Sequence, residues 1–517
     1  MRVRTAFSVL GVSLALAGCF IAKNKHLAEV PASPQTVESA LRVFMADGSV
    51  VVFPRGAHID SAHVTGRSPG RWYDLTRSQS LPRTQAPLDS VIGLEAFSQT
   101  TDPGLTILAS VGIPVIAVAG VVGIACAADP KCFGSCPTVY SYDDQGERLE
   151  AEAFSFSISP LLEGRDVDRL AVRADPDGRV DLEVRNEALE THFINHMELL
   201  EVRHRSDERV VPDVANQLLT VGPLQPVGTV VDRDGRNVTT ALAARDGETF
   251  ATSETRLAEL DADGLRDWLA FELPPVEADS VALVLRMRNS LLTTVLFYDF
   301  MLARQGARAL DWMARDVQQF GPALQLGAWY QKTMGLRLLV ESDEGFQEVA
   351  RMGDSGPIAW KEVAFMVPTR TDGPTRVRLS FLADQWRIDQ LAWSGSTARP
   401  EAIIHRPAAL TPLNGESTGD ARSLLAEPDD DYLVTTAGTG FRLRFDTSPD
   451  PDAEARTFFL GSQGYYSEWI RPDWIRSNAE AVPFEASDAL LPDLMARWLE
   501  RKGPMEAAFH TTKIPVR

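Results

Sequence analysis

The chain has 517 residues, 44% of them hydrophobic and 24% charged. That length suits three or four domains, and the composition is that of packed protein, which excludes a disordered, collagen-like or polytopic membrane chain. Acidic residues number 71 against 51 basic, a formal charge of −20, which excludes nucleic acid as a partner because binding it needs a basic surface.

The chain opens on an export signal. Arg2 and Arg4 make a basic start, Thr5 to Ala15 is apolar and small, and Leu16-Ala17-Gly18-Cys19 follows. This is the order of n-region, h-region and small-residue cleavage site. The last four residues resemble the lipobox of bacterial lipoproteins. The resemblance implies that residues 1–18 are removed and that the Cys19 thiol takes a diacylglycerol and becomes the new N-terminus. Phe20 in place of Asp then implies the outer membrane, by the Gram-negative sorting pattern. The competing reading is an ordinary signal peptide with a chance cysteine. Export permits a disulfide, and Cys126, Cys132 and Cys136 follow in a C-x5-C-x3-C spacing. Cys132–Cys136 is the expected pair, with Cys126 apart; zinc is disfavoured because no CxxC pair or nearby His completes four ligands.

Residues 19–39 are polar with Pro31 and Pro34 and read as a tether. Residues 40–100 read as a small β domain, barrel-like, opened by a hairpin of Leu41–Met45 and Ser49–Phe53 across Asp47-Gly48. Leu105–Ala128 is 24 residues without a charge, long enough to span a bilayer. Ala119 and Gly123 have a spacing that permits close helix contact, and Pro114 would kink a helix. The segment reads as membrane-associated or self-associating, so a homo-oligomer is one expectation; burial in the protein's own core is the other. Residues 133–160 then carry Cys136-Pro137, Tyr140 and a hairpin across Asp144-Gln145-Gly146. This element resembles one in uncharacterised bacterial envelope lipoproteins, where it also follows a Gly/Ala-rich apolar segment, and the resemblance implies no activity.

A repeat links Val184-Arg185-Asn186 through Thr191 to Met287-Arg288-Asn289 through Thr294, at an offset of 103 residues. Each copy reads as strand, Asn-centred turn and long strand, so residues 129–303 are expected to form tandem β-sandwich-like units. Leu310, Met313, Val317 and Phe320 mark one helix face, Gly321-Pro322 breaks it and a second helix runs to Gly335, giving a helical hairpin over 304–340. Strands over 341–400 look jelly-roll-like, and 401–517 is a C-terminal β/α region whose last helix, near Pro492–Lys502, ends at Gly503. The expected fold is mainly β: multiple sandwich-like units, a small N-terminal barrel-like domain and a helical hairpin insert.

Candidate chemistry is sparse. Three Asp-x-Asp-Gly strings occur, Asp175–Gly178, Asp232–Gly235 and Asp261–Gly264. The first and last, with Asp181 and Asp267 six positions after their first Asp, make Asp175, Asp177, Asp181, Asp261, Asp263 and Asp267 candidates for calcium, since alternate carboxylates converge on a hard cation; the bland alternative is Asp-Gly turns. His192, His196, Glu201 and His204 have metal-ligand types without a His-Glu-x-x-His motif. Gly353-Asp354-Ser355-Gly356-Pro357 resembles the nucleophile loop of trypsin-like proteases but lacks its second Gly before Pro, and a turn between strands is the better reading. Tyr465, Tyr466, Trp469 and Trp474 are candidates for a ligand surface, or for core. No catalytic residue and no cofactor is assigned; phosphate loop, dinucleotide fingerprint and nucleophile elbow are absent from the sequence. The expected protein is a non-catalytic envelope lipoprotein that scaffolds or binds envelope proteins, membrane-bound through its lipid. The rival is a carbohydrate-binding or glycan-processing surface lipoprotein, marked by a cleft with two facing carboxylates or an aromatic row. The anchor is tested by Cys19→Ser, which is expected to leave an uncleaved or soluble form that no longer partitions into detergent; a variant that partitions like the wild type contradicts it.

Overall fold

The computed structural model describes residues 21–517 apart from 28–33, 39, 48, 54, 75–78, 101–136, 156, 259–264, 307, 414, 416–420, 430, 449–452, 472–473, 476–480, 509–512, 515 and 517. Cys19, the apolar segment 105–128, Cys126, Cys132 and Cys136 lie outside the described residues. The fold is mainly β, in several separate sheets whose strand pairs are antiparallel throughout.

The N-terminal hairpin forms as its two β-rich runs predict, with Phe44 opposite Val50 and Leu41 opposite Phe53. It sits in an eight-stranded sheet. Within the stretch read as a tether, Ile21–Leu27 and Gln35–Val37 are strands of this sheet. The strand path does not return on itself, so an open sheet stands where a small barrel was expected. The reason is that both faces find a partner. Leu41, Val43, Phe53 and Leu94 form the sheet's own core, while Phe44, Val50, Val52 and Tyr73 pack into a helical core shared with the rest of the chain. A strand buried on both faces reads as a continuous apolar run, as Val50–Phe53 does.

The two sandwiches are nested rather than tandem. In the outer one, Thr138–Asp143, Gly146–Glu152, Arg179–Arg185, Ala409–Pro412 and Gly440–Asp446 make one sheet; Gly164–Arg169, Glu190–His204, Ile403–His405, Leu433–Thr436 and Ala455–Glu468 make the other. Val180, Leu182 and Leu443 of the first face Ile194, Met197 and Leu460 of the second. The inner sandwich takes residues from 225 to 394. One sheet holds Ser280–Asn289, Lys361–Pro368 and Trp386–Ser394; the other holds Arg266–Leu273, Leu336–Ser342, Gly345–Met352 and Thr375–Leu382. The strands read as a separate jelly-roll-like unit therefore complete a sandwich with those before residue 290. Where the chain leaves and re-enters the outer sandwich, Leu218–Val221 pairs with Thr397–Ala398.

The repeat is real up to its asparagine and then diverges. Asn186 and Asn289 are both buried and each exchanges backbone bonds with a glycine loop: Gly438 N donates to Asn186 O, and Asn289 N donates to Gly356 O. After Asn186 the chain continues as a strand of 15 residues, whereas after Asn289 it turns helical from Leu292. Leu291–Leu302 is apolar on nearly every side, and such a run does not distinguish strand from buried helix. The face read over Leu310–Phe320 breaks at Val317–Gln319 rather than at Gly321-Pro322. Those two residues sit in the first turn of helix α1, Phe320–Met334, where a proline is tolerated because its missing N–H would have no partner there. Gly335 stops that helix, and a Cβ on it would clash with Gln331 O. Helix α2, Leu491–Ala508, runs through Gly503 and Pro504 rather than ending at Gly503; buried Met505 and an Arg387–Glu506 ion pair hold its last turn. No described helix is long and apolar enough to cross a membrane.

The helices are the hub: Phe297, Met301, Leu310, Tyr330 and Trp498 share one core with Phe44 and Val52 of the N-terminal sheet and Tyr466 and Trp469 of the outer sandwich. Trp498 is fully buried and its Nε1 donates to Asp384 Oδ2 at 2.8 Å. Trp498→Ala is expected to cost about 3–5 kcal/mol, the range for emptying a core tryptophan site, read as a lowered midpoint in urea unfolding.

Candidate functional site

The inner sandwich is open at one end. Its strands Gln225–Pro226 and Val231–Asp232 are two residues long, because proline gives no ladder N–H and Gly228 follows at once. They leave a cleft of about 750 Å³ between the sheets, lined among others by Phe346, Trp393, Gln225, Glu272 and Arg376. Phe346 stands just after the hairpin turn at Gly345, which has φ +96°. Arg378 lies 4.0 Å from the Phe346 ring centre and 4.5 Å from that of Trp268, so the guanidinium is held between two rings. Arg376 donates to Glu272 at 3.0 Å and to Glu341 at 3.1 Å. The result is an apolar trough with a carboxylate, a guanidinium and an amide at its rim, the mixture that fixes and orients a small polar ligand. Both carboxylates near it are paired with arginine, which suits binding rather than proton transfer.

A second cluster lies where the sandwiches meet. Asp166 and Asp168 alternate along one strand and so share a face; both pair with Lys361 Nζ, Asp168 at 3.0 Å. Asp354 is buried, accepts from Tyr330 Oη at 2.7 Å and from the amides of Ser355 and Gly356 at 2.6 and 2.9 Å, and burial pushes its carboxyl up to about 8. Burial and the neighbouring Asp166 also raise Asp168. Glu152 caps the same loop, accepting from the amides of Ile358 and Ala359, and it occupies the space a Cβ at Gly356 (φ +74°) would need. The space here is about 80 Å³, room for little more than water. Ser355 is buried, with its Oγ 3.5 Å from Asn289 Oδ1 and from Gly356 O. Among the described residues no histidine bonds to it, so the Gly-Asp-Ser-Gly-Pro string is a structural turn.

Most residues singled out in the sequence serve the fold. Asp175 Oδ1 accepts from the amides of Asp177 and Arg179 at 2.9 and 2.7 Å. Asp232 Oδ1 does the same for Asp234 and Arg236, and Asp213 Oδ1 for Ala215 and Gln217. These are three copies of one Asp-capped turn, with Gly178, Gly235 or Asn216 in the left-handed position. Asp177 pairs with Arg179 and Asp181 with Arg444. Asp267 accepts from Thr252 Oγ1 at 2.6 Å; Asp261 and Asp263 lie outside the described residues. Among the described residues no group of three His, Cys, Asp or Glu is placed to hold a metal.

His192 and His196 lie on a strand, buried, against Glu190 and Leu425 O. Glu201 is held by Arg456, Arg203 and His405, and His204 bonds to Thr457. Of the two readings of the aromatics at 465–474, ligand surface or core, burial favours core. Tyr465 and Tyr466 are buried because their strand is covered on both faces; beyond its end, Trp469 is buried in the helical core and Trp474 packs against that core. Tyr465 stacks on Phe193 with centroids 4.5 Å apart. Phe346 was missed; its only signal is an aromatic directly after a charged hairpin turn.

No family model matches the chain, and no curated protein matches it. Solved structures with some likeness include the C-terminal CBM6 of a marine laminarinase from Zobellia galactanivorans: 8% identity, 38% of this chain and 98% of that one, TM-score 0.14. Others are the cycloalternan-forming enzyme from Listeria monocytogenes (11%, 67% and 30%, TM-score 0.16) and a GH31 alpha-xylosidase from Xanthomonas citri (10%, 84% and 38%, TM-score 0.15). The chain spans well under half the length of those two enzymes, and at such TM-scores the likeness carries no argument.

Asp354 sets a pH dependence. Its unfolded value is near 3.8 and its folded value about 8, so between them the folded state holds the extra proton. Stability is therefore full below the unfolded value and declines as pH rises toward 8. Asp354→Asn, which keeps the neutral shape, is expected to flatten the fall in melting temperature between pH 5 and 8; an unchanged slope contradicts the assignment.

Proposed function

We propose that the protein is a non-catalytic carbohydrate-binding protein of the cell envelope, with the cleft of the inner sandwich as its binding site. The observation that carries this is the cleft itself: about 750 Å³ lined by Phe346 and Trp393 with Gln225, Glu272 and Arg376. A sugar ring presents an apolar face and a rim of hydroxyls. An aromatic wall takes the first, and a paired carboxylate, guanidinium and amide exchange hydrogen bonds with the second. The acids of the cleft are ion-paired and those of the sandwich junction are spent on loop amides, Tyr330 and Lys361. The reading thus favours binding over hydrolysis, which needs two carboxyl groups flanking the bond to be broken.

Export and a lipid anchor at Cys19 in the outer membrane are part of the proposal and rest on Leu16–Cys19 and Phe20. A lipid anchor would leave the sandwiches tethered beside wall or surface glycans. Scaffolding of other envelope proteins, with residues 105–128 as the contact, is compatible with this role.

Affinity electrophoresis against a panel of neutral polysaccharides tests the site. The wild type is expected to be retarded by at least one of them. Phe346→Ala is expected to weaken that binding about tenfold, or about 1.4 kcal/mol, without shifting the melting temperature by more than a degree or two. A wild type retarded by none of the panel overturns the proposal.

A further inference from the structure

Strand Lys361–Pro368 forms the edge of its sheet. It packs against Gly164–Arg169 of the outer sandwich and against Arg209–Pro212, which pairs with Leu218–Val221 in a small three-stranded sheet. Arginines from four places in the sequence gather around its second residue, Glu362. Arg209 makes two hydrogen bonds to the Glu362 carboxylate, at 2.6 and 2.7 Å. Arg245, on the loop after Leu242, comes to 3.3 Å, and Arg169 to 3.6 Å. Arg286 lies opposite Glu362 in the strand register, pairs with Asp389 and rests 4.7 Å from the Trp360 ring centre. The Gly247 amide donates to the same Asp389 at 3.1 Å, which holds the Arg245 loop beside Arg286.

The donors here outnumber the acceptors. A guanidinium offers five N–H groups, yet among the described residues neither Arg169 nor Arg245 donates a hydrogen bond. The Nε atoms of Arg169 and Arg209 are buried without a partner. The carboxylates that face the group are Glu362, Asp389 and, toward Arg169, Glu150. Glu150 already accepts from Ser141 Oγ and Ala171 N. Four cations therefore share three carboxylates, in a chain whose formal charge is −20. Glu362 is only 4% exposed, while Arg245 is 36% exposed, so the cluster opens to solvent on the arginine side.

We propose that Arg169, Arg209, Arg245 and Arg286 form a binding site for a tetrahedral oxyanion of the phosphate class. A carboxylate brings two acceptor oxygens, a part that Glu362 already plays. A phosphate group brings three or four, matching the unused N–H groups of several forks at once. The site is separate from the sugar cleft and lies on the seam between the two sandwiches, so an anion bound there ties the inner unit to the outer one.

Isothermal titration of the whole chain with inorganic phosphate, in a chloride background of constant ionic strength, tests this. One saturable site is expected, weakened at least about tenfold by Arg245→Ala. That side chain lies on an exposed loop, and the phosphate-free melting temperature is expected to be unchanged. Glu362→Gln, which removes the resident competitor, is expected to tighten binding several-fold; should it not fold, Arg245→Ala and Arg169→Ala remain decisive. Glycerol phosphate distinguishes the sources. Binding of inorganic phosphate alone supports a free-ion site, and binding of both supports a site for a phosphate ester on a larger molecule. Absence of saturable binding, or binding that Arg245→Ala leaves unchanged, overturns the proposal.

Discussion

One strand pair organises the molecule. Glu190–His204 runs antiparallel to Ala455–Glu468 from Glu190 opposite Glu468 to His204 opposite Ala455, with a single register shift at Asn195. About 250 residues of chain lie between the two strands, including the whole inner sandwich. Because the pair is central to its sheet, flanked by Gly164–Arg169 on one side and by Ile403–His405 and Leu433–Thr436 on the other, its side chains are buried on both faces. That double burial is why Tyr465 and Tyr466 are core, and why a strand carrying three histidines and three glutamates is almost wholly covered. One face makes the sandwich core; the other carries the helical hub and, through it, the N-terminal sheet.

Burying so many charges has a cost that the structure offsets by pairing. Arg42 and Glu95 of the N-terminal sheet form an ion pair with both side chains about 1% exposed, and Arg42 reaches Ser467 at 3.3 Å. Arg471 bonds to Glu468 and to Tyr298 Oη, and Tyr73 meets Trp469 edge to face with ring centres 5.0 Å apart. Burial drives Glu468 well above the ordinary carboxylate range. Such a network adds little net stability compared with apolar packing, but breaking one partner strands a buried charge. It therefore fixes how the N-terminal sheet docks more than how strongly it does so.

The fold class was readable because it rests on local patterns: β-rich runs, Asp-Gly turns and the helix that stops at Gly335. The nesting was not readable, since nothing near residue 190 names residue 455 as its partner. The repeat misled for a related reason. Arg185-Asn186 and Arg288-Asn289 share a turn requirement, but the conformation beyond each asparagine is decided by the neighbouring layer, helices in one case and sheet in the other. The candidate sites show the same division. Asp175 and Asp232 carried a genuine signal, though for a turn rather than for calcium, because one carboxylate that accepts two backbone amides has the same spacing as a cation loop. Phe346, Trp393 and the arginines around Glu362 come from segments separated by up to about 200 residues, and only the fold brings them together.

The nested topology also has a kinetic meaning. Pairings between residues far apart in sequence are slow to form, because the loop must close before its contacts reward it. The inner sandwich draws all its strands from residues 225–394 and can assemble as a unit while the outer one is still incomplete. Until residues 455–468 arrive, the strand Glu190–His204 presents a long apolar edge with its main partner missing, the kind of edge that recruits other chains. On the export proposed from Leu16–Cys19, the chain would meet this interval outside the cytoplasm. Its yield is then governed less by final stability than by how long that edge stays covered.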